Sequence, residues 1–497
     1  MAQLSSLLCI LFAFFTLGNC LTPAEWRSQS IYQVMTDRFA RTDGSTTAPC
    51  RLDDYCGGTW QGLISKLSYI QQMGFTAIWI SPVVQNVQGL TADGNSYHGY
   101  WQNNPYALNR KFGTADDLKA LSAEVHRRGM YLMVDVAPNH MASISTRANV
   151  DYSKLSPFND KSYYHTPPCG IDYNNVTSIR KCWIGSDTVS LPDLRTEDAR
   201  VQNLWNTWVS QLVSNYSIDG LRIDTAQQVN PEFWPSFHAA AGGLHMIGEV
   251  WQGSPDVMCP YQNSLPGLMN YGAYYWIIQA FQRSTGSMAN LANGMAWMKA
   301  VCRDTTLLGS FIENHDLPRY ASMTNDVARI QNAIAFTMLM DGIPIIYQGQ
   351  EQRFGGHDVP AQREHLWQSG YDKNAVLYKF IRTMNLIRQR AIQRDGSHAT
   401  TKASPISNDA NTIVVRKGTA GKQIISVYTN RGSGWSGVVN VKGTAAGFGA
   451  FQKLINVVNC RPFTTNRTGD VAVSLVAGMP AVLYPVTEMT GSGICGY

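Results

Sequence analysis

The sequence predicts an α/β chain built on a (β/α)8 barrel, with an irregular insertion after the third strand and a C-terminal antiparallel β-sandwich domain. Three observations carry this expectation. Apolar strand-like runs alternate with amphipathic helical stretches between Ile31 and Tyr347, the pattern of a parallel sheet whose faces are covered. The alternation breaks once, over residues 141–194, which are rich in Ser, Asn, Asp and Pro. From about Ala403 it gives way to short strands between Gly-rich turns, as in a sandwich. The expected divisions are a signal segment at 1–20, the barrel at 21–140 and 195–399, the insertion at 141–194 and the β domain at 400–497.

In chain order, Ile31 to Phe39 reads as the first strand, followed by a helix with Leu63, Ile64, Leu67, Ile70 and Met73 on one side. Ala77 to Pro82 is the second strand. A second helix starts at Thr114, a plausible N-cap with Asp117 at its third position, and stops at Arg127-Arg128-Gly129. Tyr131 to Val136 is a near-continuous apolar strand. After the insertion come a helix from Leu204 to Val213, a strand over 218–224, a helix from Phe233 to Ala241 and a strand from His245 to Val250. Residues 307–313 and Ile343 to Tyr347 continue the alternation, which favours a closed barrel over an open sheet. The C-terminal strands are Thr412 to Arg416, Gln423 to Tyr428, Gly437 to Val441 and Ala472 to Val476.

Leu7 to Leu17 is an apolar run followed by Gly18-Asn19-Cys20, a secretory signal with cleavage expected after Cys20. The run is too short to span a membrane, and neither another span nor a lipid-anchor tail is found. The formal net charge of +5 on 497 residues, without a basic tract, points away from nucleic acid. With Cys9 and Cys20 removed, eight cysteines remain, an even number in an oxidising compartment. Neighbour pairing (Cys50 with Cys56, Cys169 with Cys182, Cys259 with Cys302, Cys460 with Cys495) is the simplest arrangement, although connectivity does not follow from sequence. A zinc site is the competitor, and no CxxC or His cluster supports it. Acceptor sequons stand at Asn175, Asn215 and Asn466.

Working residues of a (β/α)8 barrel sit at the C-terminal ends of strands. Those ends carry Asp135, Asn139 and His140, then Arg222 and Asp224, then Glu249, then Asn314, His315 and Asp316. Any one of them alone reads as a loop cap, a strand-end salt bridge or a satisfied core histidine. Gathered on one rim, they form a candidate active site.

Four segments, Asp135–His140, Gly220–Asp224, Gly248–Val250 and Phe311–Asp316, resemble the signature segments of the α-amylase family of glycoside hydrolases. Trp26–Tyr32, Thr36–Phe39, Tyr97–Trp101 and Ser190–Leu194 resemble its secreted fungal members, and the likeness covers nearly the whole mature chain. The resemblance implies Asp224 as nucleophile, Glu249 as general acid/base and Asp316 as transition-state stabiliser. It implies His140 and His315 on the hydroxyls of the sugar being cleaved, Tyr100 stacked on its ring with His98 and Trp101 beside it, and Asp358 and Arg363 on the next sugar. The Asp358–Arg363 spacing is one residue longer than in those relatives. Arg222 is expected to keep Asp224 ionised, and Glu249 to have a raised pKa.

Two departures stand out. Gln227-Gln228 replaces the family's Lys-His pair, so acceptor-side recognition by Gln228 and its neighbour is expected to differ. The family also binds calcium between barrel and insertion; Asn139, Asp193 and the Gln228 carbonyl remain here, but Arg180 stands where an acidic residue is expected. A hard cation wants anionic oxygens, so Arg180 opposes calcium, and the expectation is that it replaces the ion by pairing with Asp193. No organic cofactor is expected. The implied protein is a secreted monomeric enzyme cutting internal α-1,4 bonds of starch, glycogen and maltooligosaccharides. A 4-α-glucanotransferase and an inactive glucan-binding protein are the alternatives.

Overall fold

The computed structural model describes residues 21–497, so the expected signal segment, with Cys9 and Cys20, lies outside the described residues. Eight parallel strands form the central sheet: β1 (Ile31–Val34), β2 (Ala77–Ile80), β3 (Tyr131–Val136), β4 (Gly220–Ile223), β5 (His245–Gly248), β6 (Gly267–Leu268), β7 (Gly309–Ser310) and β8 (Ile343–Tyr347). They pair in the order β6-β5-β4-β3-β2-β1-β8-β7. A single parallel bridge between Met269 and Gly309 joins β6 to β7 and closes the barrel.

The longer helices are α1 (Trp60–Gln72), α2 (Ala115–Arg127), α3 (Ala199–Tyr216), α4 (Trp234–Ala240), α5 (Tyr271–Phe281), α6 (Met288–Val301), α7 (Val327–Leu339) and α8 (Val376–Arg394). The Thr114 signal is borne out: its side chain accepts from Asp117 N while the Asp117 carboxylate accepts from Thr114 N, a reciprocal capping box. Helix α2 buries Leu118, Leu121 and Val125 against the sheet and leaves its charged face outward.

Residues 141–194 leave the barrel after β3 as turns, single-turn helices and one two-residue hairpin, Ile184–Gly185 with Ser190–Leu191. A bridge between His140 and Asp193 ties the two ends of this excursion together. The C-terminal domain stacks two antiparallel sheets. One has six strands in the order β9 (Ser404–Asn408), β10 (Thr412–Lys417), β11 (Ile424–Thr429), β16 (Ala481–Pro485), β13 (Lys453–Asn456) and β14 (Arg461–Thr464). The other pairs β12 (Gly437–Val441) with β15 (Val471–Leu475). Val414, Val427, Leu454, Val473 and Leu483 are among the residues that fill the space between them. The domain is held to the barrel by α7, where Asn332 donates to Gly478 O and accepts from Thr429 N, and by a buried Lys417–Asp341 pair at 3.0 Å.

Two strand expectations need correction. The first strand stops at Val34, and Thr36–Phe39 is a single helical turn. Asp37 and Arg38 are buried there: Asp37 accepts from Cys56 N and Gly57 N, and Arg38 donates to Leu52 O and Asp54 O, so the chain must turn to meet the 50–56 loop. Of residues 307–313 only Gly309–Ser310 are strand, because Asp304 caps a 3-10 turn over Thr305–Leu307. All four neighbour disulfides are formed. Among the described residues no helix is long and apolar enough to cross a membrane.

Candidate active site

Strands β3, β4 and β5 deliver three carboxylates to one guanidinium. From the end of β4, Arg222 Nη1 donates to Asp224 Oδ1 at 2.7 Å and to Asp135 Oδ1 at 3.1 Å, while Nη2 meets Glu249 Oε1 at 2.9 Å. Arg222 is fully buried, so these interactions are screened little by water. Glu249 also accepts from Thr225 N at 3.0 Å and from the Tyr271 hydroxyl at 3.1 Å. Asp135 is further held by the Tyr100 hydroxyl at 2.7 Å and Trp79 Nε1 at 3.1 Å. Thr225, the residue after Asp224, sits at φ +47°, a left-handed conformation rare for a β-branched side chain. That turn brings its N–H to Glu249 and its hydroxyl to Asp224 Oδ2 at 3.2 Å.

Across the rim, Asp316 accepts from Arg363 Nη2 at 2.9 Å and lies 3.0 Å from His315 Nε2. The His315 ring is oriented by Gln33 at 2.9 Å and stacked on Tyr100 at 5.1 Å, the two planes 3° apart. A cleft of about 900 Å³ opens above these groups, lined by His98, Tyr100, Trp101, His140, Asp224, Gln227, Gln228, Glu249, Trp251, Asp316 and Arg363, among others.

The electrostatics separate the acids. Burial pushes Asp224 well above the usual carboxylate range, and the Glu249 and Asp135 charges add to this against the pull of Arg222. The expectation that Arg222 keeps Asp224 ionised meets an opposing effect: one guanidinium faces three buried carboxylates, and burial outweighs its pull on Asp224. For Asp316, burial is outweighed by His315, Arg363 and Arg222, which hold its carboxyl far below the usual range. Burial takes His140 down to about 4 and His98 well below its ordinary value, so both rings are neutral donors or acceptors near pH 7.

One expected sugar contact does not reach the cleft. The Asp358 side chain is 86% exposed and paired with its neighbour His357 at 2.8 Å. It lies in a Gly- and Pro-rich loop, Gly355 to Pro360, with no strand to fix its direction. Val359, Pro360 and Arg363 of this segment line the cleft instead.

Residues 33–409 match the family profile described as "Alpha amylase, catalytic domain", and residues 405–497 match "Alpha-amylase, domain C". The chain is 48% identical to Alpha-amylase 2 of Schwanniomyces occidentalis over 95% of this chain and 93% of that protein. It is 46% identical to the Alpha-amylase of Saccharomycopsis fibuligera over 99% of both. Its structure superposes on an α-amylase from Malbranchea cinnamomea with a TM-score of 0.92 at 45% identity, covering 96% of this chain and 100% of the other.

The chain belongs to the α-amylase family.

The family's calcium site can be tested against the residues present. Asn139 and Asp193 lie on the two bridged segments where the insertion leaves and rejoins the barrel. Both side-chain polar atoms of Asn139, and Asp193 Oδ1, are buried without a hydrogen-bond partner. Orphaned buried acceptors cost about 1–3 kcal/mol each, and two such oxygens are what a hard cation would take. Arg180 does not pair with Asp193 as expected. The partner of Asp193 Oδ2 is His165, at 2.7 Å, which also meets Glu197 at 3.0 Å. Arg180 is half-buried, forms no ion pair among the described residues, and leaves the Asn139 and Asp193 oxygens free. Arg180 therefore does not stand in for a cation: Asn139 and Asp193 leave buried oxygens unfilled, although among the described residues no cluster of three or more acidic, His or Cys side chains gathers there.

Four α-amylase site contacts were not read from the sequence: Thr225, Tyr271, Trp251 and Gln33. Trp251 stands two residues beyond Glu249 and was legible by position. Tyr271 was not, because the strand before it, β6, is only two residues long and gives no periodicity to place the rim.

Proposed function

We propose that the protein is a secreted retaining glycoside hydrolase that cuts internal α-1,4 bonds of starch, glycogen and maltooligosaccharides. The observation that carries this reading is the pair of carboxylates, Asp224 and Glu249, fixed by one buried guanidinium beneath an open cleft with Asp316 on the facing rim.

A retaining mechanism needs one carboxylate to attack the anomeric carbon while a protonated partner gives its proton to the leaving oxygen. Asp224 is the nucleophile. Thr225 and Arg222 fix its two oxygens, so it attacks from one defined direction. Glu249, seated on Thr225 N and Tyr271, is the acid in the first step and the base that activates water in the second. Asp316, held ionised, stabilises the oxocarbenium-like charge as the bond breaks. Tyr100 supplies a stacking face for the sugar at the bond being cut, His140 and His315 meet its hydroxyls, and His98 and Trp101 wall its side. Arg363 serves the next sugar without Asp358.

Asn139, Asp193 and the Gln228 carbonyl would hold a calcium ion whose contribution is structural, tying the insertion to the barrel. The sequons at Asn175, Asn215 and Asn466 are exposed and available for glycosylation. The four disulfides support an oxidising, extracellular destination.

A second reading has one observation in its favour. The cleft around Glu249 is lined by the neutral Gln227, Gln228 and Trp251, a surface able to hold a second glucan as acceptor in place of water. Incubation with pure maltoheptaose, followed by mass spectrometry, decides between the two. Only shorter products are expected; early products longer than the donor would make the enzyme a 4-α-glucanotransferase, and an unchanged donor would leave a glucan-binding protein.

A further inference from the structure

We infer that a long glucan leaving the cleft on the Glu249 side continues onto an aromatic track on the outer wall of the barrel, formed by Tyr275 and Trp297. This inference rests on the glucan reading above and extends it past the cleft.

The track begins where the cleft ends. The residue that protonates the leaving oxygen lies on the side of the departing sugars, so the chain beyond the cut bond passes Glu249 and meets Trp251, which lines the cleft. Trp251 is 43% exposed and is held rigidly: its ring stacks on Tyr271 at 5.3 Å, 18° from parallel, and its Nε1 donates to the Tyr275 hydroxyl at 2.9 Å. Tyr275, on the next turn of α5, is itself 43% exposed and packs beside the backbone at Gly253. From there residues 253–254 and the single helical turn Pro255–Met258 lead to Trp297 on α6. That ring is 41% exposed, with its Nε1 donating to Asp256 Oδ1 at 3.3 Å and its inner side packed on Trp276 at 6.1 Å.

The chemistry of the strip selects its occupant. Three large rings are fixed at their polar edges and leave apolar surface to solvent, and the first of them, Trp251, lines the cleft. Sugar rings present apolar C–H faces to aromatic planes and hydroxyls to flanking carboxylates, and Asp256 supplies such an acceptor next to Trp297. A lone exposed tryptophan needs no explanation, but continuity with the cleft does. A copy-to-copy contact is the competing occupant of the same patch.

The test compares the wild type with W297A, Y275A/W297A and W297F, on long amylose and on a nitrophenyl maltotrioside too short to reach the track. Trp297 is on the surface, so its truncation leaves the fold intact, and W297F keeps a stacking ring. Expected are an affinity for amylose roughly five- to tenfold weaker in W297A, a larger loss in the double variant, recovery in W297F, and unchanged kcat/KM on the short substrate in W297A and W297F. Equal amylose affinity in all four proteins would overturn the inference. So would equal losses on both substrates, or a shift from dimer to monomer by light scattering with amylose affinity unchanged. A wild type inert on both substrates would instead remove the glucan reading on which the track depends.

Discussion

Thr225 occupies a conformation that its side chain disfavours, and it does so between the two reacting carboxylates. A non-glycine residue in such a region costs on the order of 1–3 kcal/mol and persists only where its surroundings enforce it. Here the enforcing contacts are Glu249 to its N–H and Asp224 to its hydroxyl. Thr225→Gly should therefore raise the unfolding free energy by about 1 kcal/mol while lowering kcat, because the backbone N–H still holds Glu249 but the hydroxyl that fixes Asp224 is gone. Thermal unfolding and steady-state kinetics on one preparation would check this; a variant both less stable and fully active would contradict it. Glu249→Gln keeps the shape of the site but cannot deliver a proton, and kcat should fall roughly 10²–10⁴-fold. The pH dependence follows from the same cluster. Acid protonates the nucleophile, so kcat/KM falls on the acid side. Because burial raises Asp224 above its ordinary 3.8, the acid limb should lie above that value, and a limb below it would refute the account.

At the scale of elements, the C-terminal end of α2 offers a second titration. His126 Nε2 meets Asp219 Oδ2 at 2.7 Å, and the same carboxylate oxygen accepts from Leu132 N at the start of β3. The Asp219 hydrogen bond raises the His126 pKa despite partial burial. A group whose folded pKa is raised contributes its full stability below the unfolded value, near 6.5, and loses it as pH rises through the folded value. His126→Gln should thus lower the melting temperature at pH 6 and have little effect at pH 9, with a difference of about 0.3–1 kcal/mol for a partly exposed pair at a helix C-terminus. What the sequence disclosed follows the same scale. Strands β3, β8 and β12 were legible to the residue because apolar runs and turn residues bound them. Asp135, Arg222, Asp224 and Glu249 were legible because β3 to β5 fix which side chains reach the rim. Strands β6 and β7 were too short for any period, and Ala481–Pro485 is wholly buried and so shows no alternation. Asp358 was misplaced because a loop, unlike a strand, does not dictate direction.

For the molecule as a whole, the junction of barrel and insertion is where a single ion would matter most. Asn139 and Asp193 face each other across segments otherwise joined by a bridge and a few backbone hydrogen bonds. Elemental analysis after dialysis should find one calcium per chain, and a chelator should lower the melting temperature. Binding at a hundredfold excess over Kd contributes about 3 kcal/mol, so the shift should be several degrees, and Asp193→Asn should abolish it. A metal-free protein with an unchanged melting temperature in chelator would show that His165 and the apolar packing hold the junction alone.

The barrel's closure carries one more consequence. Strands β6 and β7 contribute two residues each and touch through a single bridge, so this is the thinnest seam in the ring. The disulfide between Cys259 and Cys302 spans this region, fencing β6, α5 and α6 into a covalent loop of 43 residues. A chain made where thiols stay reduced would lack that clasp, and its wall would part first beneath Trp251 and Tyr271. Amide hydrogen exchange under mild reduction should then be fastest in residues 259–309, and proteases should nick there before anywhere else in the barrel. The route of manufacture, through an oxidising export pathway or inside a reducing cytoplasm, would thus decide whether the acceptor side of the cleft is assembled at all.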